Sequence, residues 1–306
     1  MPLRAAFAFT PAESKRLIGR AVAAMPEVRK AFAEDVLVIA HGSTNVYVAE
    51  ELLGPMPRPR GTFLSGQVIN GVFCQTEPSE KGPMIVVERG RVVPPKPTMQ
   101  EVLDAGGPGT IVIKGANAVD PQGNAGVFCA HAGCGTIGFA YGFVAGRGVG
   151  LVVPIGLEKL VPSVPAASRE LGHDRLYYHS GFRVGMMPLV NATVVTEITA
   201  FRILFGLDAV HVGGGGVSGS EGSVVLVATG EQDALDRAIA AIDTIKGEPP
   251  LVTTKAACAT CVPTTPSMLK SAAEQIAEAP PRLSCIFQGK REAELPAHFV
   301  RRPGAP

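Results

Sequence analysis

The stretch that decides the fold is VLVIAHGSTN, residues 36–45. The apolar run at 36–40 predicts a short strand buried inside a sheet. The glycine and polar residues that follow predict a loop, and the next segment predicts a helix to about Leu53. A buried strand, a loop and a helix in this order are typical of doubly wound α/β folds.

The same alternation continues on both sides of this unit. Thr10 and Glu13 form a capping box, which predicts a helix to about residue 32. Further buried strands are predicted at 110–114 and 148–154, with a Gly/Ala-rich helix between them. Residues 55–93 are rich in Pro, Gly and Arg and predict a β-hairpin excursion. Residues 1–186 are therefore expected to form a Rossmann-like domain with a mostly parallel sheet.

The pattern changes near residue 187. One strand, one helix, two strands and a second helix are predicted at 189–195, 197–205, 209–212, 223–228 and 231–246. This order predicts a ferredoxin-like α+β subdomain over residues 187–248. The remaining segment, 249–306, contains a C-x-x-C motif and a predicted helix at about 267–278.

Composition narrows the range of partners. The formal net charge is +1 and no basic run occurs, so there is no electrostatic basis for binding nucleic acid or a membrane surface. The chain has no Trp and only 6% aromatic residues, which weakens any role in base stacking. The longest apolar stretches are too short to span a bilayer, and the first ten residues lack the apolar core of a signal peptide. We expect a cytoplasmic protein with reduced cysteines.

The loop after the first strand is a candidate anion site. Gly42, Ser43, Thr44 and Asn45 stand at the start of a predicted helix, where free backbone N–H groups and hydroxyls suit a phosphate or a carboxylate. Ser, Thr and Asn are also the ordinary residues that cap a helix, so a purely structural role remains open.

A second loop, KGANAVDPQGN at 114–124, follows the next buried strand. Open α/β sheets place their ligands at this end of the strands. Lys114, Asn117 and Asp120 would supply a cation or proton donor, an amide and a carboxylate. The Asp-Pro and Gly-Asn pairs are also common in turns, so a plain turn remains the alternative.

Taken together, the two loops resemble those of the A-type ribose-5-phosphate isomerases, within the CoA-transferase-like superfamily. That family has a Gly-Thr-Gly-Ser-Thr phosphate loop, an acidic loop ending in Asp-Pro-x-x-Asn, and a later Lys-Leu-Val. Here AHGST at 40–44, the loop at 114–124 and EKLV at 158–161 follow in the same order. The resemblance covers about residues 33–245 and implies the family's fold and site location. Lysine, asparagine and alanine replace the family's carboxylates in the second loop, which indicates a retained site with altered chemistry.

Two cysteine motifs suggest metal chemistry. Cys129, His131 and Cys134 lie within six residues and would hold zinc or part of an iron–sulfur cluster. Alternatively, Cys134 is a nucleophile acidified by a helix N-terminus, or both cysteines are simply buried. Cys258 and Cys261 form a C-x-x-C pair, which fits half a metal site or a redox pair. A tail folded back over the sheet would bring the two motifs together.

Three functions remain open from the sequence. The first is an enzyme acting on a small phosphorylated or carboxylated metabolite, with the anion on residues 42–45. Lys114, Asn117, Asp120 and His131 would then face the reacting atoms. The second is a binding or sensing protein with the same pocket but no turnover. The third is a zinc or iron–sulfur protein. We also expect a homo-oligomer, because the predicted hairpin excursion offers β surface beyond the core sheet.

Overall fold

A computed structural model of the chain describes residues 2–94, 98–253, 255–261 and 285–296. The helix predicted at about 267–278 lies outside these ranges. The described residues form a mixed α/β structure with one six-stranded sheet and three smaller antiparallel sheets. None of the described helices is long and apolar enough to cross a membrane.

Strands and helices alternate through most of the chain. The described strands are β1 (Leu3–Phe9), β2 (Val36–Ile39), β3 (Gly66–Ile69), β4 (Val72–Gln75), β5 (Ile85–Glu88), β6 (Arg91–Val93), β7 (Ile111–Ile113), β8 (Ala118–Val119), β9 (Ala125–Cys129), β10 (Gly150–Pro154), β11 (Gly185–Leu189), β12 (Thr193–Val195), β13 (Asp208–Gly215) and β14 (Ser223–Gly230). The described α-helices are α1 (Pro11–Ala24), α2 (Pro26–Glu34), α3 (Asn45–Leu53), α4 (Met99–Asp104), α5 (Gly135–Arg147), α6 (Val164–Glu170), α7 (Glu197–Phe205) and α8 (Gln232–Asp243).

The six-stranded sheet has the order β12-β10-β7-β2-β5-β6. Its first four strands are parallel. β5 lies antiparallel beside β2, and β6 lies antiparallel beside β5. β2 and β7 contain only Val, Leu and Ile and are buried along their whole length, as expected for central strands of a covered parallel sheet. The prediction of an α/β fold with a mostly parallel sheet is confirmed at this level.

The predicted excursion at 55–93 consists of two hairpins with different places in the fold. β3 and β4 form a separate two-stranded sheet, whereas β5 joins the large sheet beside β2. Asn70 and Gly71 connect β3 to β4, both with positive φ (51° and 76°), which matches the right-handed twist of a tight hairpin. Only the first hairpin therefore lies outside the main sheet.

The predicted ferredoxin-like grouping of residues 187–248 is wrong. The strand predicted at 189–195 is interrupted at the exposed Val190 and Asn191. As a result β11 pairs with β9, and β12 joins the large sheet. β13 and β14 form a three-stranded sheet with β1, a strand at the other end of the chain that the sequence analysis missed.

One hydrophobic core runs through both sides of the predicted boundary at residue 186. It includes Val38 and Ile113 from the large sheet and Phe201 and Leu226 from later elements, all fully buried. The segment after residue 255 is different. Its described residues contribute a separate small cluster, Cys258 and Leu295, with Val72 and Phe287 packed against it.

Candidate functional site

A cavity of about 470 Å³ lies at the carboxyl ends of β2 and β7. The loops that follow these two strands form one side of it, and the start of α5 forms another. Residues of the β3–β4 hairpin complete its wall. This is the edge of the sheet where open α/β folds bind ligands.

The first predicted loop reaches the cavity through Gly42, Ser43 and Thr44. Asn45 has a different place. It is fully buried, and its Nδ2 donates hydrogen bonds to the carbonyl oxygens of Ala40 at 2.7 Å and Ile113 at 3.3 Å. Asn45 thus ties together the ends of β2 and β7 and is not among the residues that line the cavity.

The second loop likewise has some residues that line the cavity and others that do not. Lys114 and Asn117 line the cavity, and the Asn117 Oδ1 accepts a hydrogen bond from the Phe128 N–H at 3.0 Å. Because that oxygen is engaged, the amide nitrogen is the part of Asn117 suited to contact a ligand.

Asp120 is not among the cavity residues, and its assignment as a catalytic residue is corrected. Its buried carboxylate accepts hydrogen bonds from the backbone N–H groups of Gln122, Asn124 and Val164. Burial alone would raise the pKa of Asp120, but the Asn124 side chain and these N–H groups lower it below its ordinary value. The carboxylate therefore organises the loop, as the turn interpretation predicts.

The described lining of the cavity contains basic side chains but no acidic ones. Lys81, Lys114 and Lys159 line the cavity together with His41 and His131, and no Asp or Glu occurs among the described lining residues. Lys114 Nζ donates to the Gly115 carbonyl at 3.1 Å, and Lys159 Nζ donates to the Ala116 carbonyl at 3.2 Å. Lys159 Nζ also lies 3.9 Å from Glu158 Oε1, outside the lining, so its charge is partly compensated. The remaining positive charge of the lining attracts anions.

Burial lowers the pKa of all three lysines that line the cavity. Burial lowers the pKa of Lys114 to about 8, and the positive charge of Lys159 also lowers it. Burial likewise lowers the pKa of Lys81 and of Lys159. The pKa of His41 falls to about 4, chiefly through burial, so His41 is neutral at pH 7. Its Nε2 lies 2.8 Å from the Gly82 carbonyl, which assigns the ring proton to that nitrogen.

The motif that begins at Cys129 forms the edge of the cavity nearest α5. Cys129, His131 and Cys134 all line it. Cys134 is the N-cap of α5 and has a left-handed backbone with φ 58°, an unusual conformation for a residue other than glycine. His131 Nδ1 accepts a hydrogen bond from the Gly133 N–H at 3.0 Å, so Nε2 carries the proton of the neutral ring. Burial first, and the neighbouring Cys134 thiol second, raise the pKa of Cys129 to about 12.

Cys258 and Cys261 do not join this motif, and the predicted convergence of the two cysteine pairs is wrong. They line a second, smaller cavity together with Cys74 and Cys285. Phe73 and Phe182 line both cavities and lie between them in the wall. Within the described ranges, no three His, Cys, Asp or Glu side chains are grouped closely enough to hold one metal ion.

Several cavity residues escaped the sequence analysis. His41 precedes the first glycine of the anion loop, and Lys159 lies in the EKLV segment that carries the isomerase resemblance. Both could therefore have been predicted from their neighbours in the sequence. Lys81 lies in the turn between the two hairpins, where nothing in the local sequence indicates its position. The meeting of Cys74 with Cys285 likewise depends on the path of the chain.

No protein-family model matches the chain, and neither a curated protein nor a solved structure is significantly similar to it.

Proposed function

We propose that this protein is an enzyme that acts on a small metabolite bearing a phosphate or a carboxylate, bound in the 470 Å³ cavity. The observation that carries the proposal is the lining of three lysines and two histidines with no carboxylate among its described residues. The volume lies in the range of small-molecule sites, about 300–1,000 Å³. An anionic ligand would supply the countercharge that Lys114 lacks, whereas Lys159 already lies 3.9 Å from Glu158.

The anionic group of the ligand would bind between the first loop and the lysines. Ser43 and Thr44 face the cavity just before α3, and Thr44 does not use its side chain to cap that helix. Hydroxyls and N–H groups at a helix N-terminus bind oxyanions well, and the nearby ammonium groups strengthen that binding.

Lys114 and His131 would transfer protons to and from the substrate. With a pKa of about 8, Lys114 loses its proton at a pH where ordinary lysines remain charged. A desolvated lysine of this kind serves as a general base or as the amine of a Schiff base. His131 would donate from Nε2, and the Asn117 amide would orient a substrate oxygen. This chemistry differs from that of the isomerases that the loops resemble, because their carboxylates are replaced.

The resemblance itself remains a proposal. It supports a Rossmann-like relationship for the large sheet and a phosphorylated or carboxylated substrate, whereas ribose-5-phosphate isomerase activity lacks its carboxylate base. Assembly into a homo-oligomer also remains a prediction, as does the division of the chain at residue 186.

A ligand screen tests the proposal. Thermal unfolding would be followed with inorganic phosphate, sugar phosphates, small carboxylates and CoA esters, since a ligand of the native state raises the melting temperature. We expect at least one anionic class to stabilise the protein, and Lys114→Met to abolish that shift. Lys30→Met, on the exposed face of α2, is the matched control and should keep the shift.

Turnover is then measured by NMR on the stabilising compounds. Consumption of a compound by the wild type but not by Lys114→Met supports an enzyme. A compound that stabilises the protein but is never consumed favours the binding or sensing alternative. If no anion raises the melting temperature, or if Lys114→Met responds like the wild type, the proposal is wrong.

A further inference from the structure

A second group of cysteines lies behind the wall of the large cavity. Cys74 is on β4, Cys258 and Cys261 flank a short 3₁₀ helix, and Cys285 begins the last described segment. All four line one cavity of about 20 Å³. Three stretches that are far apart in the sequence thus bring four of the six cysteines to one place.

Backbone hydrogen bonds fix this meeting point. The Ala256 N–H donates to the Gln75 carbonyl at 3.0 Å, which joins the C-x-x-C segment to the end of β4. The Gly289 N–H donates to the Cys258 carbonyl at 2.8 Å, which joins the last segment to the same turn. The four thiols are therefore brought together by main-chain pairing of three segments.

Lys255 gives a second and independent indication. Its side chain is 93% buried, since only 7% of the residue is exposed, and its Nζ donates to the Cys258 Sγ at 3.3 Å. A buried ammonium group is costly unless an anion lies beside it. A neutral thiol does not supply that charge, whereas a thiolate held by a metal ion does.

The structure describes only residues 255–261 and 285–296 of the surrounding segment. Its described apolar residues form only the small cluster around Cys258 and Leu295. Segments that bury too little apolar surface are commonly held by disulfides or by a structural metal ion. None of the four cysteines forms a disulfide, and their convergence suits a structural metal ion.

We propose that Cys74, Cys258, Cys261 and Cys285 bind one zinc ion in a closed, structural four-thiolate site. The C-x-x-C spacing is typical of a ligand pair on zinc, and four thiolates complete its tetrahedral shell. Soft sulfur ligands select zinc over magnesium or calcium. The cavity holds about one water-sized sphere, so it admits a single ion and excludes an iron–sulfur cluster.

Binding closes the site and balances its charge. No three of these thiols are yet arranged to hold one ion in the described residues, so the side chains draw together as the metal enters, as is common for structural zinc. Four thiol protons leave to solvent. The resulting centre has two excess negative charges, and the Lys255 ammonium offsets one of them. Because Phe73, Cys74 and Phe182 line both cavities, the zinc site also supports the wall of the anion cavity.

Metal analysis of the full-length chain tests this proposal without reference to any activity. The chain, purified with a tag that contains no histidine and under reducing conditions, should hold one zinc per molecule by mass spectrometry. Cys74→Ser and Cys285→Ser should lose it. Cys129→Ser and Cys134→Ser are matched controls in the other cavity and should keep it. Absence of zinc after anaerobic reconstitution overturns the proposal, as does retention in Cys285→Ser or equal loss in Cys129→Ser.

Thiol labelling of the wild type gives a second measurement that does not depend on a variant folding. Zinc-loaded protein is treated with iodoacetamide before and after a chelator, and each cysteine is followed by mass spectrometry. Cys74, Cys258, Cys261 and Cys285 should become reactive together when zinc is removed. Labelling of these four cysteines that is unaffected by the chelator contradicts the proposal.

Discussion

Two groups of cations in this molecule differ in what surrounds them. On α1, Arg16 is 8% exposed and binds Glu50 at 2.6 Å, Glu248 at 2.9 Å and Glu51 at 3.1 Å. In the large cavity, Lys114 and its neighbours face no carboxylate among the described lining residues. The charge of Arg16 is compensated within the fold, whereas we propose that the charge of Lys114 is compensated by a ligand.

The arginine cluster joins distant parts of the chain. Arg60 binds Glu50 at 2.7 Å and Glu248 at 2.6 Å, and both guanidinium groups lie over the Tyr47 ring, at 4.6 Å for Arg16 and 5.1 Å for Arg60. Burial opposes the charge of Arg16, but the bonds to Glu248 and Glu50 outweigh it and raise its pKa. The cluster thus connects α1, α3 and the residues after α8.

The largest effect in this comparison is expected from Arg16→Met. Removing one partner of a buried ion network leaves the remaining carboxylates uncompensated, and this costs about 3–5 kcal/mol of the free energy of unfolding. Urea unfolding at pH 7 measures the change. Arg29→Met, on the exposed face of α2, should change stability by no more than about 0.5 kcal/mol. A loss below about 1 kcal/mol for Arg16→Met would show that the network contributes little.

Lys114→Met should change the free energy of unfolding at pH 7 in the opposite direction and stabilise the protein. The pKa of Lys114 is about 8 in the folded protein and 10.5 ordinarily, so the unfolded chain binds more protons between these values. Wild-type stability therefore rises with pH from about 8 to 10.5. Below pH 8 the buried charge costs at most about 3–4 kcal/mol, from about 1.4 kcal/mol for each pKa unit. The variant should be the more stable protein at pH 7, and its advantage should disappear near pH 10.

Urea unfolding at pH 7 and pH 10, without anions in the buffer, measures that difference. Lys30→Met, exposed on α2, is the matched control for the loss of one lysine. A Lys114→Met variant that is less stable than the wild type at pH 7 would mean that the ammonium already has a compensating partner. A difference that is constant with pH would mean that Lys114 titrates normally.

The sequence predicted the elements whose pattern is local. The apolar run at 36–40 forms β2, and the capping box at Thr10 marks the start of α1. The helix predicted at 197–205 matches α7. These predictions succeed because strand burial and helix capping depend on residues that are close together in the chain. The single helix predicted to about residue 32 is wrong, because α1 ends at Ala24 and Pro26 begins a separate helix, α2.

The sequence could not predict which side chains face the cavity. Asp120 and Lys114 lie in one loop, yet the carboxylate binds the loop's own N–H groups and the ammonium lines the cavity. Local sequence permits either outcome for both residues. Nor could it predict the role of Arg60, since the acidic partner Glu248 lies on a distant part of the chain. Pairing of charges over such separations is a property of the tertiary fold.

Glu197 lies between the compensated Arg16 and the uncompensated Lys114. It is a buried acid next to a second acid, Glu158, and the two carboxylates have too few hydrogen-bond donors. The Glu197 Oε2 accepts the Leu157 N–H at 2.9 Å, but the Glu197 Oε1 and the Oε2 of Glu158 have no hydrogen-bond partner within the described residues. A Cβ added to Gly156 would collide with Glu158 Oε2 and lie 3.1 Å from Glu197 Oε1, so both oxygens border the same small space. Burial first, and the Glu158 charge second, raise the pKa of Glu197 to about 7.

Glu197→Gln should therefore change stability in a pH-dependent way. A folded-state pKa above the ordinary 4.5 means that the native protein holds the extra proton, so wild-type stability falls as pH rises from about 4.5 to 7. The glutamine keeps an acceptor for the Leu157 N–H, adds an N–H for Glu158 and does not titrate. We expect near-equal stability at pH 4.5 and an advantage of about 3 kcal/mol for the variant at pH 8 in urea unfolding. Glu34→Gln, exposed at the end of α2, controls for the change in net charge. A variant that is less stable than the wild type at pH 8 would mean that the ionised Glu197 is fully compensated, and this acidic pair would then belong with the arginine cluster.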